Sequence, residues 1–174
     1  MIKEDFSTIV RKVRIFSGII LFAYVIMHLL NHSVNLFSID AADAIRINYF
    51  RPIWQNPVGL FLLYGSLFAH LILGFASILN RKSFKMKGKD WIQIVFPVLA
   101  LLFLAQHIAI SFIITKIFGG EETYSLFFAA MNTEKPSDLI MGAIFFSLMT
   151  IFIWGHGVIG LDAYLKQQAV HHNR

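Results

Sequence analysis

There is no cysteine in this 174-residue chain. Disulfides, iron–sulfur clusters, thioether-linked cofactors and thiolate catalysis are therefore excluded from it. Charge is scarce as well, with Asp, Glu, Lys and Arg together making up 14%. No carboxylate falls in the core of a long apolar stretch, and Asp162 lies near the end of the last one. No glycine-rich phosphate loop, internal repeat or low-complexity tract is present. What remains is apolar: 57% of residues are hydrophobic, 18 are Phe, and the mean hydropathy is +0.66. A soluble domain of this length does not need so much apolar surface, so an integral membrane protein is the expected class.

Four apolar segments carry that surface, at about 15–37, 58–79, 91–115 and 139–165. Each is long enough to cross a hydrocarbon core of about 30 Å. Helix is the expected form, because an open sheet edge cannot face lipid. The sequence thus predicts an all-α, antiparallel four-helix membrane bundle, residues 1–174 forming one domain. No cleavable signal is evident, since the first apolar run is too long and lacks a small-residue cleavage site.

The net charge of +5 belongs to the flanks of these segments rather than to a nucleic-acid surface. Eleven of the fifteen Lys and Arg lie in the N-terminal tail, the loop between segments two and three, and the C-terminal tail. The other four are Arg46, Arg51, Lys116 and Lys135. The positive-inside rule then puts both termini in the cytoplasm; the expected location is the cell inner membrane. In the first outer loop, Asp40 to Phe50 suits a short interfacial helix broken by Pro52 and Pro57, with Tyr49 and Trp54 at headgroup level. The tail histidines His171 and His172 are expected in solvent.

Each apolar segment contains one deep histidine: His28, His70, His107 and His156. An ionisable group in a bilayer is costly and needs a partner, and imidazole is a common ligand for metals and haem iron. At about 1.5 Å per residue, His70 and His156 each lie about 14 Å from the proposed cytoplasmic end. His28 and His107 lie about 20 and 24 Å from it. The four fall into two tiers, each with two ligands from different helices, as bis-histidine haem b requires. One turn after three of them come Gly74, Ser111 and Gly160, small enough to admit a porphyrin; Gly155 and Gly157 flank His156. The same glycines also suit close helix packing. His32 shares a helix face with His28, and depth does not choose between them. Three other readings compete: histidines that only join helix to helix, a proton relay, and a zinc site. A relay usually recruits carboxylates, which are missing here. A zinc site would not separate its ligands in depth.

The contexts of these histidines are similar to a known family. Ser17-Gly18 through His28-Leu29-Leu30-Asn31-His32 resembles the first helix of the membrane anchor of bacterial class III adenylate/guanylate cyclases. So do Trp54-Gln55-Asn56-Pro57-Val58-Gly59, Leu63-Tyr64-Gly65 with His70, and Trp154-Gly155-His156-Gly157 with Gly160-Leu161. Nearly the whole chain is covered. Those anchors resemble the diheme cytochrome b subunits of succinate dehydrogenase and fumarate reductase. The resemblance implies a succinate dehydrogenase cytochrome b-like bundle with two haems b. It implies His28 and His107 as iron ligands of the outer one, and His70 and His156 of the inner one. It also favours His28 over His32, whose ring is left for a propionate, a quinone oxygen or a carbonyl.

The relatives continue with further helices, and no segment here holds a cyclase's two metal-binding aspartates, so catalysis is not carried over. The function expected is a membrane anchor, redox- and quinone-linked, that passes haem state to a cytoplasmic cyclase domain. The alternatives are an anchor subunit fed by flavoprotein and iron–sulfur subunits, and a haem-free structural anchor. A homodimer is compatible with each. Propionates would be held by Arg14, Arg81 and Lys82 inside, and by Arg46 and Arg51 outside. Tyr24, His32, Arg51 and Trp54 are candidates for a quinone.

Overall fold

In the computed structural model, the described residues are 6–81, 83, 85, 87–117, 123–124 and 135–172. Among them the regular elements are helical: α1 (Phe6–Val34), α2 (Ile39–Ile45), α3 (Arg51–Trp54), α4 (Pro57–Leu79), α5 (Gly88–Ile117) and α6 (Pro136–His172). A π-helical turn, Arg46–Phe50, joins α2 to α3. α1, α4, α5 and α6 each contain a stretch long and apolar enough to cross a membrane.

Local chemistry sets several of the ends. Asn56 caps α4: its Oδ1 accepts from the backbone N–H groups of Val58 and Gly59, both at 2.9 Å, and Pro57 supplies the helical φ of the first turn. Its amide also donates to the carbonyls of Pro52 (2.7 Å) and Ile53 (3.0 Å), which locks α3 onto the start of α4. Gly59 makes this fold-back possible, since a Cβ there would lie 2.9 Å from the Trp54 Cα. Ser38 caps α2 by accepting from the Ala41 N–H at 3.1 Å.

Three boundaries differ from the expectation. α1 starts at Phe6 rather than near Ile15 and stops at Val34, before Phe37. α6 runs on to His172, past Leu165. Pro52 does not break the interfacial stretch; it sits in the first turn of α3, where its missing N–H costs nothing. Lys3, Lys82 and Arg174, along with the side chains of Lys116, His171 and His172, lie outside the described residues.

The long helices form two tight antiparallel pairs, α1 with α4 and α5 with α6. Residue order shows the directions. On the first pair, Ser17 meets His70 and Tyr24 meets Trp54. On the second, Lys89 pairs with Asp162, Phe96 packs on Phe152, and His107 lies by Phe146. The pairs join along a seam where α1 touches α6, with Phe22 packed on Trp154 (ring centres 5.2 Å apart) and lying against Gly157. Among the described residues, the α1–α5 and α4–α6 faces approach less closely than these pairs do.

Most of what is buried is small or polar (Ser17, Asn31, Ala42, Asp43, Ser66 and Ala100), with Tyr124 and Met149 the larger exceptions. Large side chains turn outward, Phe61 at 77% and Leu102 at 65% exposure. That inversion suits a lipid surround, where apolar surface gains nothing from going inside and small residues let helices approach.

Candidate functional site

The two tiers of histidines meet across the seam. The imidazole centres of His28 on α1 and His107 on α5 are 6.1 Å apart, their planes at 63°. Those of His70 on α4 and His156 on α6 are 6.0 Å apart, at 72°. In each case one ring comes from each tight pair. Ten residues of α1 separate Gly18, against which His70 packs, from His28; that is a step of about 15 Å between tiers.

His70 is held from α1. Its Nδ1–H points at the Arg14 carbonyl (3.1 Å) and lies 3.3 Å from the Ser17 hydroxyl, which itself donates to that carbonyl at 3.0 Å. A carbonyl only accepts, so the proton is on Nδ1 and the lone pair is on Nε2. A histidine anchored through one nitrogen by a backbone carbonyl is oriented as a metal ligand needs to be. Gly18 makes room for the ring: a Cβ there would lie 3.0 Å from His70 Cε1. The sequence contains Gly18 and Ser17 within a recognisable stretch, yet nothing in their spacing ties them to a residue on another helix. His156 differs, because its Nδ1 is buried without a hydrogen-bond partner.

The glycines divide by role. Gly155 and Gly157 are packing residues, since a Cβ on Gly155 would lie 2.6 Å from the Phe96 ring and one on Gly157 would run into Phe22. Gly74, one turn from His70, faces nothing within 4 Å, and Gly160, one turn from His156, meets only the Gln93 amide at 3.9 Å. Open space therefore adjoins the inner pair on both helices.

The outer tier is more crowded. His28 Nε2 and His32 Nε2 are 3.0 Å apart, so one donates to the other. Tyr24 stacks on His28 (5.5 Å, 13°) and meets Trp54 edge-on at 5.3 Å. Trp54 is thus turned inward rather than left as a free headgroup anchor, and its Nε1 is buried without a partner. Tyr49 is 66% exposed. His32 also packs against the ring of Tyr124, 5.0 Å away. Tyr124 closes this end: its hydroxyl accepts from Asn31 Nδ2 at 2.8 Å, and its backbone N–H donates to Asp43 Oδ1 at 2.6 Å. Burial raises the Tyr124 phenol above its usual pKa, the Asn31 bond opposing the shift.

The candidate cations are spread. Arg14 is half-buried beside His70, and Arg81 is exposed at the end of α4. Arg46, half-buried, acts electrostatically on Tyr124, while Arg51 is exposed at the start of α3. Among the described residues, no cluster of three or more metal-ligating side chains forms.

An aromatic column links the tiers within the second pair. Phe96, Phe152, Phe103, Phe145 and Phe146 follow one another with ring centres 5.1–5.7 Å apart and end at His107. Its other end, Phe96, rests on Gly155 next to His156.

No family model, curated protein or solved structure matches this chain.

Proposed function

We propose that this chain is the membrane domain of a diheme b-type cytochrome, with His28 and His107 ligating an outer haem and His70 and His156 an inner one. The observation that carries the proposal is the pairing across the seam at two depths. Two imidazoles in line on one ion, with metal–nitrogen bonds of about 2 Å and ring centres about 1.1 Å behind each nitrogen, sit about 6 Å apart. The two pairs stand at 6.1 and 6.0 Å. The clear space beside Gly74 and Gly160, and the Nε2 lone pair of His70, fit the same group.

The chemistry supplied by bound haem is one-electron transfer. The residues of this chain bind, orient and insulate it. His70 is oriented by the Arg14 carbonyl and His28 by stacking on Tyr24. Phe22 and Trp154 pack on each other between the tiers. Arg14 and Arg81 would neutralise propionates at the inner end, Arg46 and Arg51 at the outer, with Lys82 a further inner candidate. Tyr24, His32 and Trp54 lie within one cluster that suits a quinone ring.

With the resemblance, these features support a redox-linked anchor for a cytoplasmic adenylate cyclase domain, both termini on the cytoplasmic side of the inner membrane. An anchor subunit of a succinate dehydrogenase- or fumarate reductase-like assembly uses the same site and differs in its partner. α6 is the shortest route from His156 to such a domain, and Lys89 and Lys166 pin its exit through Asp162 at 3.5 and 2.7 Å.

The test is a reduced-minus-oxidised absorption spectrum of the purified chain, with haem quantified per polypeptide. Two low-spin haems per chain are expected. One per chain, a high-spin spectrum, or no colour would overturn the proposal.

A further inference from the structure

Gln93 on α5 carries a polar atom with nothing to bind. Its Nε2 is buried and has no hydrogen-bond partner. It lies 3.9 Å from the place that a Cβ on Gly160 would take. The register of the α5–α6 pair fixes its level. Lys89 pairs with Asp162, and Phe96 lies against Gly155, so Gln93 stands between these two rungs at the height of Gly160. Gly160 follows His156 by four residues, a step of about 6 Å toward the C-terminal end of α6. The amide thus reaches the C-terminal edge of the open space that adjoins His156. The nearby acceptors of the chain are taken. Asp162 Oδ2 already holds Lys89 at 3.5 Å and Lys166 at 2.7 Å. His156 Nδ1 is buried and unpartnered too, but with Nε2 on iron it carries the proton and can only donate.

We infer that Gln93 is a binding residue of the inner haem, its Nε2–H donating to a propionate; this rests on the diheme reading above. A buried amide N–H without an acceptor is costly, so the site calls for an acceptor from outside the chain. The rim of haem b is hydrocarbon except for its propionates, so a carboxylate is the acceptor on offer. That carboxylate in turn needs donors in an apolar surround. Gln93 supplies one without adding charge, whereas Arg14 and Arg81 would act as cations. A hydrogen bond to the ionised form keeps the propionate easy to ionise and tempers its negative charge at the iron. Gln93 therefore raises the inner potential and sets the pH range over which that potential changes.

The experiment is a spectroscopic redox titration of the purified full chain, repeated across pH, in wild type, Gln93→Leu, Gln93→Glu and Gln93→Lys. His70→Ala identifies which of the two signals is the inner one. In Gln93→Leu the inner potential should fall. The midpoint of its pH dependence should rise by about one pH unit, because a hydrogen bond to a charged group is lost. Gln93→Glu keeps the shape but puts an acceptor where the donor was, and should lower the inner potential further. Gln93→Lys restores a donor and should return the potential to the wild-type value or above it. The outer potential should stay unchanged in all three, which separates a local effect from damage to the bundle. An inner potential and pH midpoint that do not move in Gln93→Leu would overturn the inference. So would equal inner potentials in Gln93→Leu and Gln93→Glu, or an outer shift as large as the inner one. Wild type without two haems would overturn the diheme reading and this inference with it, whereas two haems with an unmoved inner potential would remove Gln93 alone.

Discussion

The Nε2 atoms of His28 and His32 lie 3.0 Å apart, so each occupies the other's outward nitrogen. A nitrogen in that bond cannot also hold a metal. One of the two rings must turn away before the outer pair can close on iron, and the 6.1 Å approach to His107 belongs to His28. His32 keeps a second neighbour in Tyr124. We therefore expect His28→Ala to remove the outer haem, and His32→Ala to leave two haems per chain. The haem count of the two variants decides this, and the opposite pattern would make His32 the ligand.

The tiers should be lost independently. His70→Ala or His156→Ala should remove one haem and leave the other, and His107→Ala should behave as His28→Ala does. If each haem is held by two histidines as proposed, no iron position is open, and carbon monoxide should barely change the reduced wild-type spectrum. A large carbon monoxide difference in the wild type would rule out bis-histidine ligation.

The two kinds of glycine should respond in opposite ways. Gly74→Leu meets open space at a half-buried helix position and replaces a poor helix former, so the bundle should be as stable as before or gain up to about 1 kcal/mol. If a porphyrin occupies that space, the same variant should lose the inner haem. Gly157→Leu drives a side chain into Phe22 and should destabilise the bundle by about 1–3 kcal/mol or more. Thermal unfolding in detergent, run alongside haem content, separates the two. Unchanged inner haem in a folded Gly74→Leu variant would count against the proposed site.

Much of this was legible before any coordinate. Four spans follow from runs of apolar residues, and counting 1.5 Å steps along each sorts the histidines into tiers. The rest depends on what hydropathy does not report. α6 continues to His172 because backbone hydrogen bonds carry on through a polar sequence that no longer looks like a membrane span. The role of Gly18 depends on a ring contributed by another helix, and the split between Gly74 and Gly155 depends on what each faces. Tyr124 sits 93 residues from Asn31 in the chain, with no repeat or motif in the sequence around it. A candidate site made of one residue per helix is readable from spacing, but the groups that hold those residues in place are not.

Tyr124 should carry much of the stability of the outer end. Tyr124→Phe leaves the Asn31 amide without its acceptor and should cost about 1–3 kcal/mol. Its pH dependence has a fixed sign. Burial raises the folded phenol's pKa, so the folded state favours the protonated form. The stabilisation is fully present below the unfolded pKa of about 10, and is lost as pH rises from there through the folded value. Alkaline unfolding should therefore begin above about pH 10 in wild type and shift in Tyr124→Phe. Identical alkaline profiles would show that the phenol's burial does not matter to folding.

Neutralising a propionate partner removes a positive charge near one haem, so that haem's potential should fall. Arg14→Gln and Arg81→Gln bear on the inner haem, Arg46→Gln and Arg51→Gln on the outer. Spectroscopic redox titration resolves the two. No shift in either potential across all four variants would remove these arginines from the site.

The division into two tight pairs has a consequence for how the molecule is made. Each pair is contiguous in the chain: α1 with α4 completes before α5 is synthesised, and α5 with α6 follows. The protein can thus enter the membrane as two hairpins in succession, each already packed on itself. Their joining is a separate, later step, made by the contact of Phe22 with Trp154 and the bonds of Tyr124 to Asn31 and Asp43. Anything that bridges opposed histidines from the two hairpins draws its binding free energy from that same step. If the proposed haems bind there, their insertion and the last stage of assembly are one equilibrium, and a cell short of haem would accumulate hairpins that are built but not closed.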